Sequence, residues 1–76
     1  MEELLEILRD LHPDVDFETE EGLIDNGILD SLDIVNLISE ISENFDVTIT
    51  ARDILPENFN SARGLWELVR RLEEEG

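Results

Sequence analysis

Cysteine and lysine are both missing from this 76-residue chain, and histidine occurs once, as His12. Without cysteine there is no disulfide staple, no thiolate metal site and no thiol nucleophile. One histidine is too few for a zinc site of the usual kinds. The lack of lysine removes Schiff-base chemistry. No apolar run exceeds two residues, so neither a membrane span nor a secretory signal is expected. Basic residues are scarce: five, all arginine, against 21 acids, for a formal charge of −16. That charge repels nucleic acid and anionic membrane and argues against both as partners. Against these absences, 41 % of residues are hydrophobic, enough for one small core. The expectation is a single acidic, cytoplasmic domain over residues 1–76, near the lower size limit for independent folding.

The apolar residues are spaced for helices. Leu4, Leu8 and Leu11 fall at i, i+4 and i+7, with Leu5 and Ile7 widening the stripe. Glu2, Glu3 and Glu6 near the start and Arg9 near the end suit the helix dipole, and Pro13 stops this segment. Residues 13–30 hold no period; Val15, Phe17, Leu23, Ile24, Ile28 and Leu29 are scattered among acids and read as pegs holding a long loop to the core. Asn26-Gly27 is a hairpin-type dipeptide, but the flanking apolar segments are too short to pair. Leu37, Ile38, Ile41 and Phe45, with Ile34 and Val35 a turn earlier, predict a helix from Ser31 to about Asn44. Asp30 is placed to cap it and Asp33 to face its dipole.

Val47-Thr48-Ile49-Thr50 alternates like a strand without a partner and reads as an extended connector. Thr50-x-x-Asp53 signals a short helix over roughly Ala51 to Leu55, ended by Pro56. A last helix begins near Asn60 or Ser61, with Leu65, Leu68, Val69 and Leu72 on one face and an i, i+4 pair at Glu67 and Arg71. Glu73 to Glu75 lie at its negative end, which favours fraying. Three longer amphipathic helices and a short one give the fold class: all-α, a four-helix bundle.

Ser31 stands where the long loop enters the best helix, acids on either side. An exposed hydroxyl at a helix N-terminus is well placed to carry a phosphate ester, since free N–H groups and the positive dipole end face it. Taken alone, Asp30-Ser31 is also an ordinary helix start. The stretch from Gly27-Ile28-Leu29-Asp30-Ser31-Leu32-Asp33 to Phe45 resembles the modification site and following helix of acyl carrier proteins. In that family an Asp-Ser-Leu triplet opens the helix. The likeness extends to the acidic first helix, the pegged loop, the short helix and the final amphipathic helix.

The resemblance implies a carrier and not an enzyme. It places 4′-phosphopantetheine on Ser31, added by a separate phosphopantetheinyl transferase. The thiol of that group would hold cargo as a thioester, which fits the absence of cysteine in the chain. Asp30 would help bind the Mg²⁺ used in modification, and Leu32 would be an exposed apolar contact beside the arm. Asp33, Asn36, Leu37, Glu40 and Glu43 form the expected partner-facing set, their acids steering weak, fast encounters with basic patches on loading ligases and acyl-processing enzymes. Asn36 and Ser39 are neutral where the family often has an acid or a large apolar residue, which points to a different partner set from that of the fatty-acid carrier.

For subtype, Ile28-Leu29 occupies the place where many peptidyl carriers have Gly-Gly. Glu57-Asn58-Phe59 is similar to discrete carriers, including the D-alanyl group, although that group commonly has Phe where this chain has Leu32. The expectation is a discrete, monomeric acyl carrier, with an aminoacyl carrier of the D-alanyl or peptidyl type as the alternative. An unmodified acidic adaptor is the alternative of another class. An EF-hand is excluded, because Thr19 stands where the loop opened by Asp14, Asp16 and Glu18 needs glycine. A serine hydrolase lacks its Gly-x-Ser-x-Gly elbow. Trp66 and His12 read as structural, one at the bundle edge and one at the end of the first helix.

Overall fold

The computed structural model describes residues 1–75. Four α-helices occur in the order α1 (Glu2–Leu11), α2 (Ser31–Phe45), α3 (Pro56–Phe59) and α4 (Ala62–Glu75), with a 3-10 turn at Ala51–Asp53. The described residues contain no strand. Helix α1 packs on α2 and α4, α2 also touches α4, and α3 lies against α4.

Burial follows the periodicity. Leu4, Leu8, Leu37, Ile41, Leu65, Leu68 and Val69 are fully enclosed. Phe17, Leu23 and Leu29 from the long loop join the same core, with Val15, Ile24 and Ile28 packed partly against it. The loop is therefore held by side chains as expected. Val47 and Ile49 are buried while Thr48 and Thr50 face out, so the alternating segment is an extended connector lying against the core. No charged or polar residue is buried among those described, and the core owes its stability to apolar contact alone.

The short helix differs from the sequence reading, and the start of α4 agrees with it. Pro56 does not end the short helix; it starts one, occupying the first turn of α3, where its missing N–H has no intrahelical acceptor to lose. The segment before it forms only the 3-10 turn, with the Asp53 carboxylate accepting from the Thr50 N–H at 3.2 Å. Helix α4 starts at Ala62, because the Ser61 Oγ accepts from the Gly64 N–H at 3.0 Å and acts as its cap. Gly64 allows this corner to close: a Cβ there would lie 2.8 Å from the Glu57 carbonyl oxygen of α3. Helix α4 continues through Glu75, past the acids expected to fray it. Among the described residues, the ion pairs within 4.0 Å are Arg9–Glu18 and His12–Asp33, so the spacing-based Glu67–Arg71 pair is not formed.

Candidate functional site

Ser31 is the first residue of α2 and is exposed. Two anchors hold it there. Upstream, Asn60 at the α3–α4 junction latches the loop. Its carbonyl accepts from the Leu23 N–H at 2.9 Å, and its side-chain Oδ1 accepts from the N–H groups of Ile24 at 2.9 Å and Asp25 at 3.0 Å. Its Nδ2 donates to the Asp25 carboxylate at 3.2 Å. A turn follows, with Gly27 at φ +71°, a left-handed conformation that glycine adopts without strain. The chain then closes as the Leu29 N–H donates to the Leu23 carbonyl at 2.9 Å.

Downstream, Asp30 and Asp33 cap α2 reciprocally. The Asp33 N–H donates to Asp30 Oδ1 at 2.8 Å, and the Asp30 N–H donates to Asp33 Oδ2 at 3.3 Å. The same Asp33 oxygen accepts from His12 Nε2 at 2.8 Å. The hydrogen bond from His12 is the largest influence holding the Asp33 carboxyl below the usual carboxylate range; burial opposes it and the Asp30 N–H reinforces it. An ionised carboxylate only accepts, so Nε2 carries the proton. The N–H groups of Ser31 and Leu32 have no acceptor within the helix and lie at its positive end.

Exposure sorts the remaining expected residues. Leu32 is 68 % exposed, as the resemblance implied. Asn36, Glu40 and Glu43 are exposed along α2. Asn36 and Glu40 border an open cleft of about 280 Å³ against Ile7, Asp10 and Leu11 of α1. Leu37 is corrected: at 0 % exposure its side chain is part of the core and is unavailable to a partner. Asp33 is half-buried and committed to His12 and Asp30, so it holds the corner together. The sequence reading placed Val35 among the inward residues, yet it is 61 % exposed. Its position two residues from Leu37, about 200° around the helix, is the signal that would have turned it outward. Ser31, Leu32 and Val35 thus share one exposed face, since Ser31 and Val35 are one helical turn apart. His12 and Asn60, read as structural or not singled out, are the residues that fix this corner from outside α2.

A protein-family model described as a phosphopantetheine attachment site matches residues 1–69. The chain belongs to the phosphopantetheine-binding carrier family. Its similarity to named relatives runs nearly end to end. It is 34 % identical over 71 residues to the D-alanyl carrier proteins of Streptococcus mutans and Streptococcus sanguinis, covering 92 % of this chain and 90 % of each relative. It is 29 % identical over 73 residues to the D-alanyl carrier protein of Lactobacillus acidophilus, covering 95 % of this chain and 92 % of the relative. No solved structure matches significantly.

The carrier is thus all-helical and bears phosphopantetheine; it is not a catalyst. The arrangement around Ser31 suits that group. An exposed hydroxyl at a helix N-terminus leaves room for a flexible substituent, and the unpaired first-turn N–H groups favour its phosphodiester charge. Among the described residues no group of three or more metal-ligating side chains converges, and no helix is long and apolar enough to cross a membrane.

Proposed function

We propose that Ser31 carries the phosphopantetheine arm and that the arm is loaded with a small aminoacyl group of the D-alanyl type. The observation that carries the first part is the exposure of Ser31 as the opening residue of α2, between the capping Asp30 and the exposed Leu32. Supporting the second part is the similarity to D-alanyl carrier proteins over most of the chain. In modification, Ser31 Oγ attacks the β-phosphorus of coenzyme A and its proton passes to a base of the transferase. The phosphoanhydride bond breaks and the adenosine bisphosphate leaves. The free carboxylate edge of Asp30 is available to a transferase-bound Mg²⁺. When attached, the group supplies a thiol that holds cargo as a thioester.

The protein's own task is presentation. Asn36, Glu40 and Glu43 offer polar and anionic contacts, and Leu32 and Val35 offer an apolar one, to enzymes with basic rims. Fatty acyl cargo is the second reading, favoured by Leu32 in the place where D-alanyl carriers commonly have Phe.

Incubation with coenzyme A, Mg²⁺ and a broad-specificity phosphopantetheinyl transferase tests the attachment by intact mass. One arm's mass is expected on the wild type and none on Ser31→Ala, which remains helical. No gain on the wild type with several active transferases refutes the reading, and unaltered partner binding by Ser31→Ala favours an unmodified acidic adaptor. Offering the loaded-arm form to a D-alanine ligase and, separately, to a fatty-acyl ligase, each with ATP, distinguishes the two cargoes.

A further inference from the structure

The bond between His12 and Asp33 links residues 21 apart and joins the end of α1 to the start of α2. Its geometry does more than tie two helices. Asp33 Oδ2 has two lone pairs, and the structure gives it two donors: the imidazole N–H of His12 at 2.8 Å and the backbone N–H of Asp30 at 3.3 Å. The imidazole is the closer donor and comes from the residue that caps the end of α1. It fixes where that oxygen sits, and the oxygen in turn holds the backbone of the residue preceding Ser31. Both side chains are largely shielded, 28 % exposed for His12 and 20 % for Asp33, so water competes poorly for the contact.

We infer that His12 is a positioning residue for modification of Ser31: acting through Asp33, it holds the Asp30-Ser31 corner in the conformation that a phosphopantetheinyl transferase binds. The inference rests on Ser31 being the attachment residue. Removing the imidazole leaves Asp33 Oδ2 with one weak donor. The carboxylate is then free to rotate toward water, and the reciprocal cap opens part of the time. A transferase that binds only the closed corner meets a smaller competent population, which raises the apparent dissociation constant by the inverse of that fraction. Chemistry in the bound complex is unchanged, because His12 Nε2 is engaged with Asp33.

The test uses the apo form of the 76-residue chain, coenzyme A and a phosphopantetheinyl transferase. For His12→Ala, KM for the carrier should rise, by at most the about fivefold that one lost capping contact allows, with kcat retained. His12→Gln keeps an N–H donor of similar reach and should recover most of the loss. In an Asp33→Ala background, His12→Ala should add nothing further. Amide exchange at Asp30 and Asp33 in the unmodified protein should quicken in His12→Ala and return toward wild type in His12→Gln. An unchanged KM in folded His12→Ala overturns the inference. So does a KM penalty that persists in full without Asp33, which would mean that His12 touches the transferase directly. If the wild type is not modified at all, the Ser31 reading fails. The exchange rates then decide alone: quickened amides keep His12 as the holder of this corner, and unchanged amides overturn that role.

Discussion

Replacing Asn60 with alanine should destabilise the domain far more than a substitution at a half-exposed loop residue normally does. The side chain makes three contacts with the loop: Oδ1 accepts from Ile24 and Asp25, and Nδ2 donates to the Asp25 carboxylate. The backbone contact from Leu23 survives truncation. The Ile24 N–H is partly buried, and its loss is worth about 1 kcal/mol; the two exposed contacts at Asp25 add about 0.5 kcal/mol each. The total, about 2 kcal/mol, corresponds to a fall in Tm of about 8–16 °C for a domain of this size. Circular dichroism at the helical band during thermal and urea unfolding measures both quantities. A loss below about 0.5 kcal/mol would refute the latch as a stabilising device. Asn60→Asp refines the test, because it keeps an acceptor for Ile24 but sets a second carboxylate against Asp25. Like charges raise the pKa of the pair in the folded state, so this variant's deficit should be full at pH 7 and shrink as pH falls toward 4. A pH-independent deficit would mean that Asp25 is not the partner.

Truncating Ile41 or Leu68, each at 0 % exposure, to alanine should cost about 2–5 kcal/mol. Because a domain this small has only about 5 kcal/mol of stability, chemical denaturation should find either variant partly or wholly unfolded. Leu32→Ala, at 68 % exposure, should stay within about 0.5 kcal/mol of wild type in the same assay. With a net charge of −16, added NaCl or Mg²⁺ should raise Tm from low to moderate ionic strength, as read by calorimetry; a flat or falling Tm contradicts self-repulsion. The Asp33 carboxyl is held low by His12, so its contribution is complete above the ordinary carboxylate pKa and is lost as pH falls through the lowered value. Acid unfolding of Asp33→Asn should lack that component, seen as a shallower loss of stability below about pH 4.

Helices α1, α2 and α4 were legible because each carries an apolar stripe longer than two turns, which only helical spacing satisfies. The pegged loop was legible too, since Phe17, Leu23 and Leu29 have no other place to bury their side chains. Pro56 was misread because proline stops a helix from inside and starts one from its first turn, and four residues provide no period to choose between them. At the site, Asp30 and Ser31 alone read as an ordinary helix start, and only the wider resemblance from Gly27 to Phe45 singled them out. The residues that hold them could not be singled out: Asn60 reaches the loop from 35 and 36 positions away, and His12 reaches Asp33 from 21. Nothing in a single sequence couples such distant positions. Leu37 and Val35 were assigned to the wrong faces for a different reason. An acidic helix crowded with apolar residues admits several stripes, and packing against α1 and α4 selects one.

Trp66, half-buried on α4, meets Phe45 edge-on with ring centroids 5.9 Å apart. Phe45 ends the helix that Ser31 begins, so about 20 Å of α2 separates the indole's neighbourhood from the Ser31 hydroxyl. Trp66, the one tryptophan, thus lies at the end of α2 opposite Ser31. Its emission therefore reports the packing of α2 against α4, so unfolding can be followed without an added dye.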